Sequence, residues 1–393
     1  MPPTSRRVMI GGTAATCAVA ALAMPAIAQD ASLRVGLMLP FSGMYAALGE
    51  AIAAGFDMHI RELDGKMGGR PVELLRVDDE SDPTKAQSSV NRLLGREQVE
   101  VLVGSVQSDI ATTMARGARD QRIPLIIPHA GNNALTREQC GIAVFRSSFS
   151  NWQPAFGMGQ ALAAKGYKKA AWLAWDHVPG NEGGDGFADG LRTGGAALTQ
   201  RLTLPFPETN FQPLLAQLSD LDVDAVGASF FGAGAIRFVK AYAAAGLRDK
   251  LPLCGPGFLT EGLLKQQGEA ADGLLTALHY GDGIDNPKNL TFRKTYKSFA
   301  RRDADVYAVQ GYDAAQMLAI GLNGTDANAS AIKDFAAAVM AAKIDSPRGA
   351  FTLSDSHNPI QTIWLRQAKN GENRVIGPAA EMLADPTRGC DMG

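Results

Sequence analysis

Cysteine is scarce in this chain of 393 residues: four in all, too few for a disulfide scaffold or a Cys-rich zinc array. Charge of a single sign is equally lacking. Lys and Arg number 38 against 40 Asp and Glu, a formal net charge of -2, which removes the electrostatic argument for nucleic acid as a partner. Beyond residue 28 no apolar run approaches the ~20 residues of a membrane-spanning helix, so membrane insertion of the remainder is not expected. Enzyme signatures are missing as well. There is no G-x-S-x-G elbow and no G-x-x-x-x-G-K-[ST] loop, and His59, His129, His177, His279 and His357 show no paired metal-ligand spacing. Catalysis, a metal and a cofactor are therefore not expected. What the chain does have is 46% hydrophobic residues, too many for disorder, and a length suited to about two domains.

The first residues read as an address. Arg6 and Arg7 form a basic start, Val8 to Ala23 is small and apolar, and Ala26-Ile27-Ala28 ends in a signal-peptide cleavage pattern. Residues 1–28 are expected to direct export to the periplasm and then to be removed. Ser5-Arg6-Arg7 is a loose match to a twin-arginine signal, so the export route stays open. Cys17 lacks the leucine expected three residues before a lipoprotein cysteine. In an oxidising compartment disulfides persist. Cys254 sits in an apolar, strand-like run and reads as a buried thiol, which leaves Cys140 and Cys390 as a possible bridge. Spacing alone cannot bring their Cα atoms within the ~4.4–6.8 Å a disulfide requires.

From Leu33 the pattern is strand, loop, helix, repeated. Short apolar runs at 33–39, 72–77, 99–103 and 124–127 alternate with helical spacing at 46–63, 84–94 and 108–120. A second series follows, with helices at 153–165, 184–194, 211–220 and 233–245 and strands at 170–175, 225–230 and 251–254. One more helix is expected at 331–342. Such runs suit parallel sheets buried on both faces, and two series imply two sheets. Ligands bind outside the carboxyl ends of parallel strands. Two lobes facing one another would therefore enclose a cleft, and closure would bury a small ligand.

The strand-end loops hold the candidate site. Ser108 and Asp109 follow the run 99–103, where Ser108 reads as an N-cap and the first-turn amides suit an anion. Ala130, Gly131 and Asn132 follow 124–127; small residues allow close backbone approach, and Asn132 both donates and accepts. His177 follows 170–175. Phe231 ends 225–230, where an aromatic side chain either lines a pocket or joins the core. Gly183, Gly184 and Gly186 lack the G-x-G-x-x-G spacing, so a nucleotide reading is weak. Asp78, Asp79, Glu80 and Asp82 read as a solvated loop before a helix.

Leu33-Arg-Val-Gly-Leu-Met-Leu-Pro-Phe-Ser-Gly43, then Leu48-Gly49, Asp78-Asp79 and Asp82-Pro83 form an ordered set. The loop 101–108, Val226–Gly232, Gly255-Pro256 and Val309-Gln-Gly-Tyr-Asp-Ala314 continue it. In this order they resemble the periplasmic substrate-binding proteins of branched-chain amino acid-type ABC transporters, the Leu/Ile/Val-binding protein family. The resemblance implies an α/β, type I periplasmic binding protein fold of two doubly wound parallel-sheet lobes with a ligand cleft between them. Lobe 1 would be 31–149 plus 281–350, and lobe 2 would be 150–280 plus 351–393. It also implies a small-molecule ligand, a permease and an ATPase as partners, and no catalysis.

In that family the serine loop and the small-residue loop hold an amino acid's carboxylate and ammonium; here they correspond to Ser108 with Asp109 and to Ala130 with Gly131. Two departures bear on the ligand. Gly257 stands where the amino acid binders place an acid, and Pro179 precedes Gly180 where they place a tyrosine. A buried ammonium without its partner costs about 3–5 kcal/mol, unless Glu261 or Asp109 substitutes. The stretches 145–153, His279-Tyr280 and 286–289 resemble a branch associated with aromatic acids. In that reading Phe231, Tyr280 and Trp152 stack on a ring while the helix at Ser108 takes a carboxylate. The expected function is capture of a small hydrophobic or aromatic carboxylate for an ABC importer. A branched-chain amino acid or amide binder, a ligand sensor and an exported nucleotide-dependent enzyme stay open.

Overall fold

Apolar runs that alternate with helical segments build two open sheets. The computed structural model describes residue 1 and residues 32–392; the export signal expected over 1–28, Cys17 included, lies outside the described residues, Met1 aside. The first sheet holds β1 (Leu33–Leu39), β2 (Lys66–Met67), β3 (Arg70–Asp78), β4 (Val101–Gly104), β5 (Leu125–Ile127) and β6 (Val144–Arg146), in the order β2-β3-β1-β4-β5-β6. All neighbours are parallel except β2 with β3. The second holds β7 (Lys169–Asp176), β8 (Ala197–Pro205), β9 (Ala225–Ser229), β10 (Leu253–Pro256) and β11 (Leu275–Leu278), parallel in the order β11-β10-β9-β7-β8. Antiparallel strands β12 (Thr352–Leu353), β13 (Pro359–Lys369) and β14 (Glu372–Leu383) extend its edge.

Helices cover both faces of each sheet, as the sealed strands require. Along β1, Leu33, Val35, Leu37 and Leu39 pack with α1 (Ala46–Glu62), α10 (Val306–Asn323) and α11 (Ile332–Ala341). Met38 points the other way, toward α2 (Pro83–Asn91) and α3 (Ser108–Gln121). The same alternation runs through β7. Ala171, Leu173 and Trp175 meet α6 (Gln212–Ser219) and α7 (Gly232–Ala244), while Ala170, Trp172 and Ala174 meet α4 (Trp152–Ala164) and α5 (Val178–Thr193). A short α8 (Leu264–Gln267) and α9 (Pro287–Ala300) complete the set.

Helix starts follow their caps. Asp82 accepts from the Thr84 amide at 2.9 Å, Asn286 from Asn289 at 2.7 Å and Asp305 from Ala308 at 2.8 Å. The helix expected at 184–194 begins six residues earlier, because His177 caps it and Pro179 fits its first turn. The acidic run after β3 is a built turn as well as a solvated one: Asp79 is buried and takes the hydroxyl of Ser105 and the amide of Ser81.

Three segments carry the chain between the sheets, and buried polar groups lace them together. Arg348 donates to the carbonyls of Ser147 at 2.6 Å and Ser148 at 3.1 Å. Gln361 also donates to Ser148, and Asn358 donates to Gln153. After β14 the tail returns to the region beside the first sheet. Asp385 accepts from Arg137 and Ser150, and Cys390 is bonded to Cys140 with Cα atoms 5.5 Å apart. Cys254 is a free, buried thiol whose pKa burial pushes up. Among the described residues no helix is long and apolar enough to cross a membrane.

Candidate functional site

The topology itself marks where a ligand can sit. Setting β2 aside, each sheet places its first strand between its second and third, so the strand order reverses beside β1 and again beside β7. Such switch points open a crevice at the carboxyl ends of the strands. Residues 40–45 and 105–107 border the first, and His177 and Phe230–Phe231 border the second. The two crevices face one another: the rings of Tyr45 and Phe231 lie 6.3 Å apart.

Aromatic side chains form the wall on the second sheet. Phe231 stands just before α7, with its ring 5.0 Å from Trp175 and 5.5 Å from His177. His177 Nδ1 accepts from the Gly180 amide, and its ring stacks on Phe206 at 5.2 Å. Burial lowers its pKa, which keeps it neutral. Deeper in, Phe149, Phe230, Phe231, Phe258 and Pro179 line a small cavity of about 50 Å³, with Asn151 and Ser229 as polar members. None of its lining side chains is charged.

The wall on the first sheet is polar backbone held by side chains. Gln107, not Ser108, occupies the N-cap of α3; Ser108 is already helical, and its carbonyl accepts from Thr112 Oγ1 at 2.9 Å. Ser108 is half-buried and Asp109 is exposed in the first turn. The loop Ala130-Gly131-Asn132 is buried beside it. Asn132 Nδ2 donates to Thr112, which leaves its Oδ1 sealed and without a partner. Arg146, fully buried, donates to the carbonyls of Asn132, Gly131 and Phe149 and so sets both loops. Glu182 of α5 reaches across to accept from the Asn133 amide at 2.9 Å and from Asn151 Nδ2 at 2.8 Å.

Two expected ring partners lie elsewhere. Tyr280 is sealed in a core with Phe292 and Tyr296, and its hydroxyl donates to Asn289. Trp152 faces α5, where Nε1 donates to Asp189 and the ring stacks on Phe156. Neither lines the cavity, because each side chain is turned inward by a buried or helix-borne hydrogen-bond partner. Glu261 is not a substitute acid either: it pairs with Arg366 at 2.7 Å. Gly257 is fixed by the same guanidinium, since a Cβ there would stand 2.5 Å from Arg366 Nη2 and 2.6 Å from Leu278 Cβ. The residues that sequence reasoning passed over are Phe149 and Phe258, which follow a strand end and the Gly-Pro-Gly turn, and His129, which precedes Ala130.

Comparison with known proteins agrees with this architecture. A family model described as periplasmic binding protein matches residues 32–373. A Leu/Ile/Val-binding protein homolog 6 from Brucella melitensis is 27% identical over 370 residues, covering 91% of this chain and 93% of the relative. An ABC-transporter solute-binding protein from R. palustris, solved in complex with benzoate, superposes with a TM-score of 0.85. It is 42% identical, over 92% of this chain and 100% of that one. Another from R. palustris, in complex with 4-hydroxybenzoate, gives 0.83 at 25% identity over 90% and 98%. Members of this family bind solutes and are not catalysts. The chain belongs to the periplasmic binding protein family, as a solute-binding protein of the Leu/Ile/Val-binding group that serves ABC transporters.

Proposed function

We propose that the cleft captures a small aromatic carboxylate in the periplasm, that the two sheet bodies close over it, and that the loaded protein delivers it to a permease and its ATPase. The observation that carries this reading is the cavity wall: four phenylalanines and no charged side chain. Rings of this kind stack edge-to-face or offset on an aromatic ligand. A buried ammonium would find no acid there, because position 257 is glycine and Glu261 is already paired with Arg366. The carboxylate would sit at the first sheet, on the N-terminus of α3 and the loop Ala130–Gly131. The R. palustris relative in complex with benzoate supports the same ligand class.

A thermal-shift panel tests it, with benzoates, cinnamates, leucine, valine and amides. A ligand at 100 times its Kd adds about 2.7 kcal/mol of stability when it binds only the folded state. Aromatic acids should raise the melting temperature, and Phe231→Ala should weaken their binding about tenfold or more, read against the variant's own unliganded melt. Stabilisation by leucine or valine, with none by aromatic acids, contradicts the proposal.

A further inference from the structure

The loop after β5 carries a histidine with one nitrogen unspoken for. His129 Nδ1 lies 2.9 Å from Gln310 Oε1, and Gln310 Nε2 lies 3.3 Å from His279 Nε2. His129 Nε2 bonds to none of the described residues. Its ring meets Phe149 and Phe258 with centroids 5.5 and 5.3 Å away, and both of these line the cavity. His279 is fully buried, and its Nδ1 has no partner.

Two proton arrangements satisfy these contacts, related by a half-turn of the Gln310 amide. In one, Gln310 donates to His279 Nε2, so both histidines carry their proton on Nδ1. That arrangement seals an N–H of His279 away from any acceptor, beside the positive charges of Arg348 and Arg366. In the other, His279 Nε2–H donates to Gln310 Oε1, Gln310 donates to His129 Nδ1, and His129 carries its proton on Nε2. His279 Nδ1 then keeps a lone pair in place of a proton, which suits the positive field of Arg348 and Arg366 at this ring. Every donor in this chain points toward the cleft, so each bond polarises the next.

We infer that His129 presents its Nε2–H to the carboxylate of the bound ligand, beside Ala130, with Gln310 and His279 as positioning residues that fix this tautomer. The inference rests on the proposed function for its ligand and adds the donor that grips it. Burial lowers the His129 pKa to about 4, so the ring is neutral and donates without adding a charge.

Nuclear magnetic resonance of protein labelled with ¹⁵N-histidine, free and saturated with benzoate, reads the tautomer directly. The expected result is His129 protonated on Nε2 in both states, with that proton shifting downfield on binding. Titration of His129→Phe should show benzoate affinity lower by about ten- to a hundredfold. In Gln310→Leu the Nδ1–H tautomer should become populated and affinity should fall in parallel. An Nδ1–H His129 in the benzoate complex, or full affinity in His129→Phe, overturns the inference alone. Absence of benzoate binding by the unaltered protein overturns the proposed function and this inference together. Should His129→Phe fail to fold, the tautomer in the unaltered protein decides.

Discussion

Arg366 is a buried charge that holds the turn at Gly257, between the cavity-lining residues Pro256 and Phe258. Its guanidinium donates to Glu261, Thr276 and the carbonyls of Gly257 and Tyr280, while only 1% of the side chain is exposed. Removing one member of a buried pair strands the other charge, so Arg366→Ala is expected to lower unfolding free energy by about 3–5 kcal/mol, measured by urea denaturation. Arg366→Met with Glu261→Gln removes both charges and should recover most of that loss. At this scale the sequence was a partial guide. The position of Phe231 and His177 after strands of a parallel sheet was legible, and the structure sets their rings 5.5 Å apart beside the second switch point. Trp152 and Tyr280 were misplaced because type and position along the chain do not say which way a ring turns; Asp189 and Asn289 decide that in space.

Elements were easier to read where an apolar run ended in a turn, and harder where small residues carried the packing. Glycines hid the first half of α5, since each weakens a helix by about 1 kcal/mol against alanine. Their reason is close approach to β7: a Cβ at Gly180 would stand 2.1 Å from the Trp175 carbonyl oxygen, and one at Gly183 would stand 3.0 Å from the Trp172 ring. Strands β13 and β14 form a hairpin across Asn370-Gly371, a turn signal that the sequence reading did not use, whereas the tail behind them rests on partners far away in sequence. The Cys140–Cys390 bond closes that tail against the region beside the first sheet. Replacing both with serine should cost about 2–5 kcal/mol. Melting curves with and without reductant check it: the unaltered protein should lose stability on reduction and the double variant should not respond. The cap of α10 sets a pH prediction. Burial raises Asp305 to about 6, despite its bond from the Ala308 amide. The folded chain thus holds a proton that an unfolded aspartate near 3.9 has released. This contribution is complete below about pH 4 and is lost as pH rises through 6. Asn caps equally well without a charge, so Asp305→Asn should gain on the unaltered protein as pH rises from 4 to 7 in denaturation series.

The whole molecule repeats one arrangement twice, and function is argued from that repetition. Two sheets of equal strand order put two switch points across one cleft, which local periodicity already suggested when the strand–helix series restarted. What no local pattern announced is that α10 and α11, late in the chain, pack on the first sheet through Leu318, Leu322, Phe335 and Val339. Under the proposed closure Glu182 acts as a latch, its carboxylate accepting from Asn133 and Asn151. Glu182→Ala should populate an open form and reduce ligand affinity by the fraction of closed protein lost, with a larger radius of gyration in solution scattering. The central claim is that an aromatic carboxylate lies between these walls with its charge on the first sheet. A crystal structure of the mature chain grown with benzoate tests it most directly. The account predicts the ring among Phe149, Phe231 and Phe258 and the carboxylate against Ala130, Gly131 and the start of α3; an empty cleft, or a carboxylate turned toward the second sheet, would contradict it.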